Sequence, residues 1–102
     1  MLTIEACKAL KEMGYPQDGY LRIVPDLYHG GEPFLSCTTA GWTEHYACPD
    51  SIDALDWLAA QFGGTWQRDA DFCDFWLFAP QRVYRRADTP SALIVAVAQV
   101  LA

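Results

Sequence analysis

Apolar residues at Ile4, Cys7 and Leu10, with Met13 next in line, recur at helical spacing, while Lys8, Lys11 and Glu12 fall largely off that stripe. Residues 3 to 13 are therefore expected to form an amphipathic helix. Thr3 is a good N-cap, and Glu5 sits in the first turn, where the helix dipole favours a negative charge. Gly14 suits the left-handed position after the last turn, Tyr15 can fold back over it, and Pro16 forbids continuation.

Residues 17 to 48 carry a weaker pattern. Tyr20 to Val24 is rich in β-formers and reads as a strand stopped by Pro25, and His29-Gly30-Gly31 marks a turn. Phe34 to Thr38 and Trp42 to Ala47 read either as two further strands or as one hairpin around Ala40-Gly41, with the register open. A second helix is expected over 50 to 62. Asp50 or Ser51 caps it after Pro49, Asp53 completes an acidic first turn, and Gly63-Gly64 ends it. Ile52, Leu55, Leu58, Ala59 and Phe62 make its buried stripe. Asp53, Asp56 and Gln61 belong to other faces, and Trp57 leaves the stripe either to pack across an edge or to stay exposed.

From Gly63 to Ala102 the pattern is the most organised. Thr65 to Arg68 and Cys73 to Ala79 are expected to pair as antiparallel strands around Asp69-Ala70-Asp71, with Val83 to Arg86 as a third strand. On the middle strand Phe75 and Leu77 point one way and Trp76 and Phe78 the other, so both faces are apolar, as in a sheet covered on both sides or an interface. Thr89 caps a last helix with Pro90 at its first position. That helix, SALIVAVAQVLA, has only Ser91 and Gln99 as polar side chains, so it must be covered on more than one side. The order is α-β-β-α-β-β-β-α, a single compact α+β sandwich domain over 1–102 with antiparallel sheet packed against helices.

Composition supports a globular chain: 102 residues, 52% hydrophobic and 20% charged, enough to bury a core without a staple. The formal charge is −6, from thirteen acids against seven bases. No basic stripe is present to track phosphates, so direct nucleic-acid binding is not expected. A basic protein partner suits this balance better. The apolar terminal run is far shorter than the roughly 20 residues a bilayer requires. The opening helix carries charges throughout and does not read as an export signal, so the expected location is cytoplasmic, with reduced thiols.

The phrases LTIEACKALKEMGYPQ, ACPDSIDALDWLAAQF and TPSALIVAVAQVLA together resemble small uncharacterised proteins of phages and prophages, in which a short amphipathic helix ends in a Gly-aromatic-Pro phrase. The ending, a capped helix, a tryptophan strand, Thr-Pro and an apolar helix, is similar to that of the small phage αβα-sandwich families. Residues 17 to 47 carry no such likeness. The resemblance implies an accessory protein acting in the cytoplasm of a bacterial host. It brings no catalytic residue with it.

Candidate chemistry is sparse. Cys37, His45, Cys48 and Cys73 are the available soft metal ligands, and His45-x-x-Cys48 has a zinc-compatible spacing, but no second tight pair accompanies it and no C-x-x-C is present. Buried core thiols are the plainer reading, and no metal or cofactor is expected. Cys48 with His45, or Cys37 with either histidine, could form a nucleophile pair. Cys48 lies close before a helix that would lower its pKa, whereas Asp50 and Asp53 oppose this. His29-Gly30-Gly31 is similar to an esterase oxyanion loop but lacks the serine elbow, and no phosphate-cradling glycine loop occurs. Asp69, Asp71 and Asp74 lack the glycine and distal glutamate of a calcium loop.

Two surface groupings remain. Asp50, Asp53 and Asp56 recur every three residues and, with Asp69, Asp71 and Asp74, could form an acidic face that docks on a basic nucleic-acid-binding host protein; a solvated helix face is the plainer reading. Arg82, Arg85 and Arg86 cluster in sequence beside Tyr84 and Trp76, a combination suited to an anion, a nucleotide or a protein hot spot, or else to a protected edge strand. The leading expectation is a non-catalytic protein that binds a host protein through an acidic or aromatic surface. The alternatives are a nucleotide-type small-molecule binder using Trp, Tyr and Arg, and a small enzyme or zinc protein using Cys and His. A homodimer through the last helix and its sheet is also expected, because that helix has more apolar surface than one small sheet covers.

Overall fold

The computed structural model describes residues 2–17, 21–25, 33–36, 44–68, 74–80 and 82–101. Three helices and six strands follow in the order α1 (Ile4–Glu12), β1 (Arg22–Val24), β2 (Phe34–Ser36), β3 (Tyr46–Ala47), α2 (Ser51–Gln61), β4 (Thr65–Arg68), β5 (Phe75–Ala79), β6 (Arg82–Ala87) and α3 (Pro90–Leu101). This is the expected α+β class, with a third strand between the first two helices.

The helix ends are set by local chemistry. Thr3 Oγ1 accepts the Ala6 amide at 3.2 Å, Asp50 Oδ2 accepts the Ile52 amide at 3.1 Å, and Thr89 Oγ1 accepts the Ala92 amide at 3.1 Å. Both α1 and α2 close in the same way. Gly14 (φ 99°) and Gly63 (φ 63°) take the left-handed position, and the amides of Tyr15 and Gly64 return to Leu10 O at 2.9 Å and Ala59 O at 3.0 Å.

The strands form two three-stranded antiparallel sheets. In the first the order is β2-β1-β3, so the two strands that follow β1 do not make a hairpin with each other but flank it, with Ile23 opposite both Leu35 and Tyr46. All three residues of β1 are buried, as befits a central strand covered on both faces. The second sheet runs β4-β5-β6, with Trp66 opposite Leu77 and Leu77 opposite Tyr84. Of the expected first-half strands, residues 20, 37, 38, 42 and 43 lie outside the described residues, as does the His29-Gly30-Gly31 turn.

One core joins the helices and both sheets through Leu2, Leu10, Ile23, Leu55, Leu58, Leu77, Leu93, Ile94 and Val97, none more than 1% exposed. Helix α1 packs on β1 and β3 of the first sheet, while α2 and α3 pack on the second. Contacts of α3 with α1 and α2 connect the halves. The apolar last helix is thus covered on several sides, as its composition demanded. On α2 the stripe starts later than expected. Leu55, Leu58 and Ala59 are buried and Phe62 packs against the core, but Ile52 is 49% exposed. Ile52 sits in the first turn, where side chains lean back towards the N-terminus, in this case beyond the elements that α2 covers. Ala54 is buried instead, and Trp57 packs across the edge onto Tyr15, ring centroids 5.1 Å apart at 72°.

Gly64 tests this arrangement. A Cβ there would enter the Phe78 carbonyl and crowd Ala79 Cα, backbone atoms of the paired strand that cannot swing aside. Gly64→Ala is expected to cost about 3 kcal/mol or more of urea-unfolding stability. Gly14→Ala meets no atom within 4 Å and should cost only about 1–2 kcal/mol, the penalty of its φ.

Candidate functional site

Alternation along β5 separates its side chains into two sets. Leu77 is fully buried, and Phe75 and Ala79 pack with it against the core, joined by Trp66 from β4. Trp76 and Phe78 project from the other face, where their rings stack almost parallel, 5.9 Å apart at 8°. Phe78 is 36% exposed, and the described helices that pack on this sheet sit against the face carrying Leu77. Both faces of β5 are therefore apolar, as its sequence required, but only one of them joins the core.

The basic residues predicted beside these rings lie on the neighbouring strand. Arg82 pairs with Ala79 and Tyr84 with Leu77, after which the register slips. Phe75 is opposite Ala87, so Arg85 and Arg86 together face the single residue Trp76, a β-bulge.

The acidic residues are not gathered with them. Asp50 is the N-cap of α2, and Asp56 Oδ1 accepts the Trp66 indole N–H at 2.7 Å, tying α2 to β4. Two of the three helical aspartates thus have structural tasks, and only Asp53 stands exposed in the first turn with no such bond described. Helix α2 packs on the core face of the sheet, so these carboxylates and the Trp76–Phe78 stack occupy different faces. Asp74 stands half-buried just before β5, whereas Asp69 and Asp71 lie outside the described residues.

The second concentration of reactive groups is where α1 meets the first sheet. Arg22 is 8% exposed; its Nε donates to His45 Nδ1 at 3.0 Å, and its other guanidinium nitrogens reach the carbonyl and the side-chain oxygen of Gln17. Gln17 Oε1 also accepts the Ala47 amide at 3.0 Å, so one side chain joins the strand to the cation. Tyr46 donates to Glu44 Oε1 at 2.8 Å beneath the Lys11 ammonium, which lies 5.5 Å from the ring centroid. Burial, with Arg22 and Lys11 nearby, keeps His45 below its usual pKa and neutral. A proton on Nδ1 would abolish the bond from Arg22 and set two cations together.

Cys48 follows β3 and is buried, with Cys7 of α1, in the common core. The Cys7 side chain outweighs burial and lowers the Cys48 pKa to about 7, while the Cys48 side chain and burial raise that of Cys7. The sequence placed Cys7 only on a buried helical stripe; nothing in its spacing from Cys48 indicates that the two share one core. Conversely, of the His45–Cys48 pair considered for zinc or catalysis, His45 is bonded to Arg22 and Cys48 is buried in the core. No group of three or more His, Cys, Asp or Glu able to hold a metal occurs among the described residues, and Cys37 and Cys73 lie outside them. No helix among the described residues is long and apolar enough to cross a membrane.

These shifts make stability depend on pH. Below pH 6.5 the unfolded chain takes up a proton that folded His45 disfavours, so stability falls as the pH drops. Between about 7 and 9.0 the unfolded Cys48 holds a proton the folded one has lost, so stability rises with pH. Above 9.0 the unfolded chain releases the Cys7 proton that the fold retains, and stability falls again. Denaturant midpoints across this range should peak between about pH 8 and 9. Cys48→Ser should flatten the rise above pH 7.

No family model, no curated protein and no solved structure matches this chain.

Proposed function

We propose that this is a non-catalytic binding protein that docks on another protein through the outer face of the β4-β5-β6 sheet. The observation that carries the reading is the Trp76–Phe78 stack on the face of β5 opposite the core, with Phe78 substantially exposed. Stacked aromatics bury much area with little entropy to lose, which is why such residues anchor protein interfaces. The net charge of −6 favours a basic partner and faster association at low salt. The likeness of three sequence phrases to phage and prophage proteins supports a partner from a bacterial host, for example a nucleic-acid-binding or defence protein.

A second reading, capture of a nucleotide-type ligand, is favoured by the two arginine positions at the bulge opposite Trp76. Affinity capture from host lysate with the intact protein, Trp76→Ala and Phe78→Ala separates the two. A docking face predicts a stoichiometric protein partner whose affinity falls about tenfold or more in either variant while circular dichroism is unchanged. Absence of such a partner, together with a thermal shift by one nucleotide class that is lost in Arg85→Ala or Arg86→Ala, transfers the assignment to the second reading.

Self-association would use a different surface. Among the described residues, α3 leaves uncovered Val100 and an open groove of about 330 Å³ lined by Thr3, Thr89, Ala92, Val95, Ala96 and Gln99. Light scattering is expected to give a dimer mass that Val95→Glu reduces to that of a monomer. A monomer at high concentration in the unsubstituted protein removes the dimer.

A further inference from the structure

Strand β3 has only two residues, so its ladder to β1 does little by itself to hold it. Side chains supply further fastening, and they meet at one titratable group. We infer that Gln17, Arg22 and His45 form an acid-opened clasp, in which a proton on His45 releases β3 from β1 while the rest of the fold stays closed. The clasp lies outside the β4-β5-β6 sheet and does not rest on the docking role proposed for that sheet.

Arg22 of β1 directs Nε to His45 Nδ1 at 3.0 Å and its terminal nitrogens to the carbonyl and side-chain oxygens of Gln17. Gln17 is anchored to the chain leaving α1, its Nε2 donating to Tyr15 O at 3.0 Å. Its Oε1 also accepts the Ala47 amide at 3.0 Å. A single guanidinium, 8% exposed, thus joins the exit of α1, the central strand and the start of β3.

The bond to His45 exists in one protonation state only. A free Nδ1 accepts from Arg22, whereas a protonated Nδ1 is a donor facing a donor, with two cations in contact. Neighbouring charges among the described residues do not offset this. Lys11 of α1 adds another positive charge, the exposed Glu44 is engaged by the Tyr46 hydroxyl, and the charge of Glu12 on α1 bears on Tyr46. Burial and the two cations accordingly hold His45 below its ordinary pKa of 6.5.

His45 is half-buried and precedes β3, so it can turn to solvent without moving a helix. Arg22 then carries an unsatisfied buried donor, and as the guanidinium follows towards water it leaves Gln17, which frees the Ala47 amide. None of these three side chains belongs to the apolar core that holds α3 against α1, α2 and β5. Opening takes up a proton, because the released imidazole regains its ordinary pKa. The opening equilibrium therefore grows about tenfold for each pH unit below 6.5, until the closed form is itself protonated.

Amide hydrogen exchange of the full chain, read by NMR from about pH 7.5 to about pH 5 and corrected for intrinsic rates, tests the clasp. Protection at Ala47 should fall about tenfold per pH unit below 6.5, in step with the titration of the His45 ring, while Leu93, Ile94 and Val97 keep theirs. His45→Asn sets a carboxamide oxygen near the position of Nδ1, an acceptor that takes up no proton in this range. It should hold Ala47 protection constant with pH. If that variant is loose at every pH, the coincidence of Ala47 exchange with the His45 titration in the unsubstituted protein decides alone. The inference is overturned if the two do not coincide, or if a well-protected His45→Asn keeps the full pH dependence. It is also overturned if the α3 amides lose protection together with Ala47, which is global unfolding.

Discussion

The constraint on which this structure depends is the burial of α3. Leu93, Ile94 and Val97 have no exposed surface, and Ser91, nearly buried, accepts the Thr3 amide at 2.9 Å from the opposite end of the chain. A helix with so little polar surface cannot rest on one support. It takes α1 and α2 as lateral neighbours and β5 and β6 as a floor. Because α1 also covers the first sheet, packing α3 commits the two sheets to one core. The Thr3–Ser91 bond fixes where the first and last helices meet, and apolar burial supplies most of the stabilisation.

That commitment leaves β5 with a surplus. Its Leu77 face is consumed by the helices, and the same alternation places Trp76 and Phe78 where no helix of the described structure reaches. Stacking lets the two rings shield one another in part, and Phe78 still keeps 36% of its surface exposed. The bulge on β6 adds to this effect by setting two residues against one and increasing the local twist. Asp50 and Asp56 are engaged on the far side, capping α2 and holding Trp66.

The first sheet uses its polar groups differently. Arg22 lies in a small central strand, and its guanidinium is satisfied by His45 and Gln17. No buried side-chain nitrogen or oxygen among the described residues lacks a partner. Such a network specifies a particular arrangement of β1 and β3, since any other leaves a cation desolvated and unpaired.

Local grammar was fully legible in the chain. Thr3, Asp50 and Thr89 as caps, Gly14 and Gly63 as left-handed terminators, and the two-faced pattern of residues 75 to 78 follow from rules that act over a few residues. They established three helices, an antiparallel β4-β5-β6 unit and the α+β class. Tertiary structure decided what those rules do not reach. It placed β1 between β2 and β3, since short strands buried on both faces carry no alternation to mark their neighbours. It left Ile52 in solvent because a stripe does not state where its covering surface ends. It separated the aspartates from the aromatic face, turned Asp50 and Asp56 to structural use, and set Cys7 and Cys48 in one core. Contacts between residues far apart in the chain depend on which apolar surfaces pack together, and that is a property of the whole core rather than of any one segment.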